Sequence, residues 1–109
     1  KTKVTPLTKR NMDTMLKKTE EYTNDPSKGS MLKNFVFDYG SVVKNPISGY
    51  PSRTAEAEFV LRTEKKKSLQ LYVYREGYLY MVNCGCKPLA FEAMKPTFQQ
   101  AVNSFKFLD

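Results

Sequence analysis

The sequence contains no histidine and no tryptophan, and only two of its 109 residues are cysteines. Without histidine, the Ser-His-Asp and Cys-His mechanisms are excluded, and so are the common zinc sites. Neither a Gly-x-Gly-x-x-Gly motif nor a phosphate-binding loop ending in Gly-Lys-Ser or Gly-Lys-Thr occurs. No apolar run approaches the roughly 20 residues that cross a bilayer. We therefore expect a protein that is not an enzyme and that has no catalytic residues, no metal and no cofactor.

The two cysteines, Cys84 and Cys86, lie two positions apart on a predicted strand, so their side chains point to the same face. A disulfide between residues at that spacing would have poor geometry. A Cys-x-Cys pair without histidine is also a weak signal for a metal site. We predict two free thiols, with Cys84 buried on the apolar face and Cys86 at or beyond the end of the strand.

The composition is that of a folded, basic chain. Apolar residues make up 40 % and aromatic residues 13 %, enough to bury one core, so we expect residues 1–109 to form a single domain. The formal net charge is +7, from 18 basic and 11 acidic residues. The basic residues are spread along the chain, and their one run of three is Lys65-Lys66-Lys67. This distribution is typical of a soluble surface, and the alternative is a site for an acidic partner or a polyanion.

Residues 68–75 and 78–86 are two β-rich runs separated by Glu76-Gly77, a spacing that predicts a hairpin. In the resulting register, Val73 faces Tyr80. One face of the hairpin is then apolar, and a slip of one residue would mix the two faces. The apolar face holds Leu69, Leu71, Val73, Tyr80, Val82 and Cys84, and the opposite face holds Gln70, Tyr72, Tyr74, Leu79, Met81 and Asn83.

Apolar residues recur at helical spacing near both ends of the chain. The first pattern predicts a helix over about residues 8–24, with Pro6 and Thr8 as start signals. The second pattern follows the hairpin, and we expect Pro96 near its start because a proline inside a helix costs roughly 3 kcal/mol. The apolar positions are Met12, Met15, Leu16 and Tyr22 in the first helix, and Phe91, Met94, Phe98, Ala101, Val102 and Phe105 in the second.

Between the helices, alternating residues predict strands that begin near Phe35 and Ala55, and residues 63–67 predict a polar turn before the hairpin. Residues 1–5 are interpreted as a strand end. The small side chains of Ala55 and Ala57 suit the close approach of a helix. The order helix, four strands, helix predicts an α+β fold. Its antiparallel sheet of four or more strands is covered by an N-terminal and a C-terminal helix.

Short motifs in the second half of the chain point to a family. They are Gly77-Tyr78-Leu79-Tyr80 at a strand start, Ile47-Ser48-Gly49-Tyr50-Pro51 at a tight turn, Phe91, Pro96-x-Phe98, and Asn103-Ser104-Phe105-Lys106-Phe107 at a helix end. Together with the helix around Met12–Tyr22, they resemble PsbP-like domains and the related bacterial DcrB-like (DUF1795) lipoproteins. The resemblance covers about residues 5–107.

The chain departs from this family in two places. The family begins with an additional hairpin, and this chain starts too late to contain it, so it is either trimmed or a smaller version of the fold. Ala90-Phe91 stands where plant PsbP proteins often carry a tryptophan. The resemblance implies an α/β/α sandwich without catalysis, whose members bind other proteins as photosystem subunits, a small-GTPase partner or chaperones. It also implies that Tyr72 and Tyr74 are buried if helices cover both sheet faces.

The leading hypothesis is a non-enzymatic protein-binding or accessory module, in the form of the soluble domain of an exported bacterial lipoprotein. The alternative is a basic domain that binds single-stranded nucleic acid by stacking bases on sheet tyrosines. A lysine- or cysteine-dependent enzyme is a third, less favoured alternative. The candidate partner-binding surface consists of Tyr72, Tyr74, Lys65, Lys66 and Lys67. Because the chain begins at Lys1 without a methionine, we expect a trimmed or mature form, and an extracytoplasmic location is favoured over a cytoplasmic one.

Overall fold

The computed structural model describes residues 2–3, 11–47 and 49–107, which form one antiparallel sheet with a helix on each face. The order of the strands in the sheet is β1-β5-β4-β3-β2. This confirms the predicted α+β fold, whereas Pro6 and Thr8, the predicted start of the first helix, lie outside the described residues. The elements are β1 (Thr2–Lys3), α1 (Met12–Asn24), a 3-10 turn (Pro26–Lys28), β2 (Leu32–Lys44), β3 (Ser52–Leu61), β4 (Glu64–Arg75), β5 (Tyr78–Cys86) and α2 (Pro88–Asn103).

The hairpin formed by β4 and β5 has the predicted register. Val73 pairs with Tyr80, and Arg75 pairs with Tyr78 across the turn. Both turn residues have positive φ, 50° at Glu76 and 86° at Gly77, as a type I′ turn requires. Glycine adopts that conformation without strain, which explains why the turn forms at this dipeptide.

Helix α1 packs on β2 and β3, on the first face of the sheet. Met12 and Leu16 are fully buried there against Phe35, Phe37 and Ala55. Ala57 is also buried beneath the helix, so the small side chains do allow the close approach that their sequence positions suggested.

A buried arginine joins α1 to the sheet. The side chain of Arg53 in β3 is only 2 % exposed, and its Nε donates a hydrogen bond to Oδ1 of Asp13, 2.8 Å away. Its Nη1 donates to Oδ1 of Asn45 at 3.0 Å. The hydrogen bond from Arg53 lowers the pKa of Asp13, and the charges of Arg53 and Lys44 lower it further against the opposing effect of desolvation. The pair fixes the start of α1 over β3.

Helix α2 packs on β4 and β5, on the second face. Phe91 and Val102 are buried against Leu71 and Val73, and Phe98 packs beside them. Phe98 and Phe105 of the predicted apolar stripe are half-buried, and two other members are exposed, because they lie on the side of the helix turned toward solvent. They are Met94, which is 39 % exposed, and Ala101.

Pro96 lies inside α2, so the predicted helix start was wrong. The helix begins at Pro88, whose fixed φ and missing N–H suit a first turn. Proline has no N–H, so Pro96 cannot donate the helical hydrogen bond to the carbonyl oxygen of Glu92. Pro96 is exposed, so this bond is missing on the side of the helix that faces water. Burial of Phe91 before it and Val102 after it holds both halves of the helix on the sheet.

The polar turn predicted at residues 63–67 is shorter than expected. Arg62 and Thr63 alone form the turn between β3 and β4, with φ of 60° at Arg62. The three consecutive lysines therefore belong to β4, where Lys65, Lys66 and Lys67 pair with residues of β3. With a two-residue turn, each of the three lysines has a partner residue in β3. In a five-residue loop over residues 63–67, the lysines would lie outside the strand and would have no such partner.

Candidate functional site

Each helix covers only half of its sheet face, and the two covered halves lie on opposite sides of the sheet. Helix α1 covers β2 and β3 on the first face, and α2 covers β4 and β5 on the second. A groove of about 870 Å³ therefore remains beside each helix. We call the groove between α1 and the β4–β5 hairpin the α1 groove, and the groove between α2 and the β2–β3 pair the α2 groove.

The α1 groove has mainly apolar walls. Two large apolar side chains are exposed at its rim: Tyr22 of α1 is 59 % exposed, and Met81 of β5 is 54 % exposed. The other apolar lining residues are Met15, Leu32, Phe35, Phe59, Leu61 and Leu79. A concave, mostly apolar cavity with a few polar groups is typical of a binding site.

The polar groups of the α1 groove form a chain of hydrogen bonds across its floor. The Tyr72 hydroxyl donates to Oε1 of Gln70, and Nε2 of Gln70 donates to Oδ1 of Asn83 at 2.9 Å. Burial raises the pKa of Tyr72, so its hydroxyl keeps its proton. Because Asn83 accepts through Oδ1 and is exposed, its amide N–H groups lie at the groove surface, where they can donate to a carbonyl or carboxylate oxygen.

The α2 groove is lined by charges that pair with one another. Glu56 of β3 is 8 % exposed, and its Oε2 lies 2.6 Å from Nζ of Lys95 in α2. Its Oε1 lies 3.6 Å from Nζ of Lys67. The hydrogen bond and charge of Glu56 raise the pKa of Lys95. These ion pairs connect α2 to β3, and they leave the Glu56 carboxylate paired with two lysines of the protein itself.

The structure does not bring the five predicted partner-binding residues onto one surface. Tyr72 is 3 % exposed and packs against Phe37 in the core, so its ring is not accessible for stacking. Tyr74 is half-buried, and its hydroxyl accepts a hydrogen bond from the backbone N–H of Gly77. The lysines alternate between the faces of β4, with Lys67 against Glu56 on the α2 side, Lys66 paired with Glu64 on the α1 side, and Lys65 exposed.

Sequence reasoning assigned Gln70, Met81 and Asn83 to the correct hairpin face but did not identify them as site residues. Their shared face was visible in the alternating pattern of the hairpin. The exposure of Met81 and Asn83 depends on α1 lying over β2 and β3 rather than over the hairpin, whereas Gln70 is buried on the floor of the groove. Periodicity carries no information about the lateral position of α1.

Cys84 and Cys86 are free thiols, as predicted. Cys84 is half-buried beside α2 rather than buried as predicted, and Cys86, which is also half-buried, is the last residue of β5, in agreement with its predicted position. In the part of the chain that the structure describes, no group of three or more histidine, cysteine, aspartate or glutamate residues is placed to hold a metal ion. No helix among residues 11–47 and 49–107 is long and apolar enough to cross a membrane.

Comparison with protein-family models, curated proteins and solved structures found no match for this chain. The likeness to PsbP-like and DcrB-like domains therefore rests on the sequence motifs alone and stays a hypothesis. The functional argument rests on the geometry of the two grooves.

Proposed function

We propose that this protein is a non-enzymatic binding module and that the α1 groove holds an apolar segment of a partner protein. The observation that carries the proposal is the groove of about 870 Å³ with Tyr22 and Met81 exposed at its rim. Tyrosine and methionine are enriched in the buried centre of protein interfaces, and tyrosine is among the residues that contribute most of the binding free energy there.

The polar floor suits a peptide rather than a purely apolar ligand. The amide N–H groups of Asn83 can donate to a peptide carbonyl, and the Tyr72–Gln70–Asn83 chain holds that amide in one orientation. Lys18 adds a positive charge to the lining. With a net charge of +7, the protein favours a partner whose bound segment carries acidic residues.

The resemblance to PsbP-like and DcrB-like domains supports the same proposal, since the members of those families bind other proteins. The soluble domain of an exported lipoprotein is the cellular context that this resemblance favours. The competing proposal, binding of single-stranded nucleic acid, loses support from the position of Tyr72 in the core. Nucleic-acid binding would weaken steeply between about 50 and 200 mM salt, and titration of a labelled single strand tests it.

Selection from a random peptide library against the immobilised protein tests the proposal. We expect the selected peptides to be apolar with acidic flanks and to lose at least about tenfold in affinity on Met81→Lys, because a charge would enter the apolar groove. The matched control is Met94→Lys, which places the same charge on exposed α2 and should leave affinity unchanged. Selected peptides that bind both variants equally, or a failure to select any, would contradict the proposal.

A further inference from the structure

Exposed positive charge is concentrated at one end of the sheet, around the turn between β3 and β4. The beginning of β2 lies at this end, because it pairs with the last residues of β3, and β5 ends there beside Lys67. Helix α2 begins two residues after the end of β5. We call this surface the basic end. Its exposed basic residues are Lys28, Lys33, Arg62, Lys65 and Lys87.

The strand register places two of these lysines side by side. Lys33 of β2 and Lys65 of β4 both pair with Val60 of β3. Paired residues share a face of the sheet, and neighbouring strands lie about 4.8 Å apart, so the two lysines are about 10 Å apart on one face. The fold therefore brings together cations that are distant in sequence, and the run Lys65-Lys66-Lys67 alone does not define this surface.

Ion pairs within the protein do not use the cations of the basic end. The neighbouring Lys66 and Lys67 pair with Glu64 and Glu56. The hydrogen bond and charge of Lys66 lower the pKa of Glu64, and the charge of Lys87 lowers it further, so Lys87 lies near the turn. Within the described ranges, no residue of the basic end forms an ion pair. The other acidic residues at this end are Asp25 and Glu58.

The basic end also carries the two most exposed large apolar side chains among the described residues. Met31 is 63 % exposed and precedes Leu32, which pairs with Leu61 at the end of β3. Leu89 is 102 % exposed and lies in the first turn of α2, two residues after Lys87. Neither side chain belongs to a core cluster, so both leave apolar surface in contact with water.

We infer that the basic end binds the surface of a membrane that contains anionic lipids. Such a bilayer has negative headgroups directly above an apolar layer. One surface can therefore neutralise the cations and also cover Met31 and Leu89. The residues of the basic end and these two side chains line neither groove, so the inference does not rest on the proposed function.

Nucleic acid is the competing partner for a basic surface. Its phosphates would neutralise the cations but would leave Met31 and Leu89 in water, because bases stack on aromatic rings rather than on aliphatic side chains. The ring of Tyr22 lies beside the basic end, and Nζ of Lys28 already lies over it, 5.6 Å from the ring centroid. The exposed aliphatic side chains therefore favour lipid.

Co-sedimentation with lipid vesicles tests the inference. We expect the protein to bind vesicles of phosphatidylcholine and phosphatidylserine at least about tenfold more tightly than vesicles of phosphatidylcholine alone. Binding should weaken as salt is added, because ions screen exposed charges. Equal affinity for the two kinds of vesicle, or no binding to either, would overturn the inference.

Two matched pairs of lysines separate the basic end from the net charge. Lys33→Gln combined with Lys65→Gln should lower the affinity for the anionic vesicles at least about tenfold, because each lysine near such a surface contributes about fivefold. Lys17→Gln combined with Lys106→Gln removes the same charge from exposed positions elsewhere and should change the affinity by less than about twofold. Equal losses in the two double variants would mean that net charge alone drives binding, and the inference would be wrong.

A matched pair of methionines separates lipid from nucleic acid. Met31→Gln should lower the affinity for the anionic vesicles at least about threefold, because an apolar side chain would no longer enter the bilayer. Met94→Gln makes the same change on the exposed side of α2 and should leave the affinity unchanged. Equal vesicle affinities of these two variants would overturn the lipid inference. If the variant lacking Lys33 and Lys65 also lost binding to a labelled single strand, the basic end would be a nucleic-acid site instead.

Discussion

The α1 and α2 grooves have the same volume, about 870 Å³, and the same origin, a helix that covers only half of a sheet face. They differ in what lines them. In the α2 groove, Glu56 is paired with Lys67 and Lys95, so its charges satisfy one another. In the α1 groove, Tyr22 and Met81 leave apolar surface in contact with water. Equal volume therefore does not mean equal chemistry. The α2 groove exposes Val43 among paired charges, whereas the α1 groove has mainly apolar walls and gains more free energy when a partner covers it.

The largest expected effect concerns the core beneath α2. Phe91→Ala should lower the free energy of unfolding by about 3–5 kcal/mol, because a fully buried ring would be replaced by a cavity. Leu89→Ala in the same helix is the control, since Leu89 is fully exposed and its loss should cost under about 0.5 kcal/mol. Urea denaturation measures both values. Similar losses for the two variants would contradict the placement of α2.

The next effect concerns the attachment of α1. Asp13→Ala should lower the free energy of unfolding at neutral pH by about 2 kcal/mol, because it removes the hydrogen bond to buried Arg53. The expected loss is smaller than for a fully buried ion pair, because half of the Asp13 side chain is exposed to water. The lowered pKa of Asp13 means that this stabilisation is present above the ordinary carboxyl pKa.

The same pair predicts a pH dependence. As the pH falls below about 4 and through the lowered pKa of Asp13, the native protein should lose the stabilisation, and its stability should approach that of Asp13→Ala. Denaturation curves between neutral and acidic pH measure the difference. A difference that stays constant down to the lowest pH would show that the carboxylate charge of Asp13 does not contribute.

A smaller effect tests whether the α2 groove is structural. Glu56→Gln should cost about 1–2 kcal/mol, because Lys67 and Lys95 lose their shared carboxylate but remain partly in contact with water. Affinity for groove-selected peptides should not change. Glu92→Gln is the control, because exposed Glu92 lines the same groove and its loss should cost under about 0.5 kcal/mol. Loss of peptide affinity in Glu56→Gln with stability unchanged would mean that the α2 groove binds the partner.

The smallest effect concerns the outer edge of β2, where the side chain of Asn24 hydrogen-bonds to the N–H and carbonyl groups of Phe35. Asn24→Ala should cost about 1 kcal/mol, because the N–H and carbonyl of Phe35 lose their partners but gain water. It should also increase self-association, since the edge becomes available for pairing. Light scattering against concentration measures the change. A variant that stays as monomeric as the native protein would show that Asn24 does not protect the edge.

The sequence predicted the hairpin in full because two local signals agreed, the period-two alternation and the positive φ that Gly77 permits. It misplaced the start of α2 because Pro88 and Pro96 are both compatible with a helix start, and only the burial of Phe91 decides between them. The α1 groove was not predictable, because it depends on where α1 lies across the sheet. Tyr72 shows the same limit of sequence-based prediction. The alternating pattern assigned Tyr72 to the correct face of the hairpin, but its burial depends on contact with Phe37 of β2, which is distant in sequence.

The central claim is that the partner binds in the α1 groove, and the methionines report on it directly. The sequence has five methionines; Met15 and Met81 line the α1 groove, and Met94 lies exposed on α2. With methyl-labelled methionine, titration of a library-selected peptide should shift the NMR signals of Met15 and Met81 and leave that of Met94 unchanged. A shift of the Met94 signal while those of Met15 and Met81 stay fixed would contradict the claim.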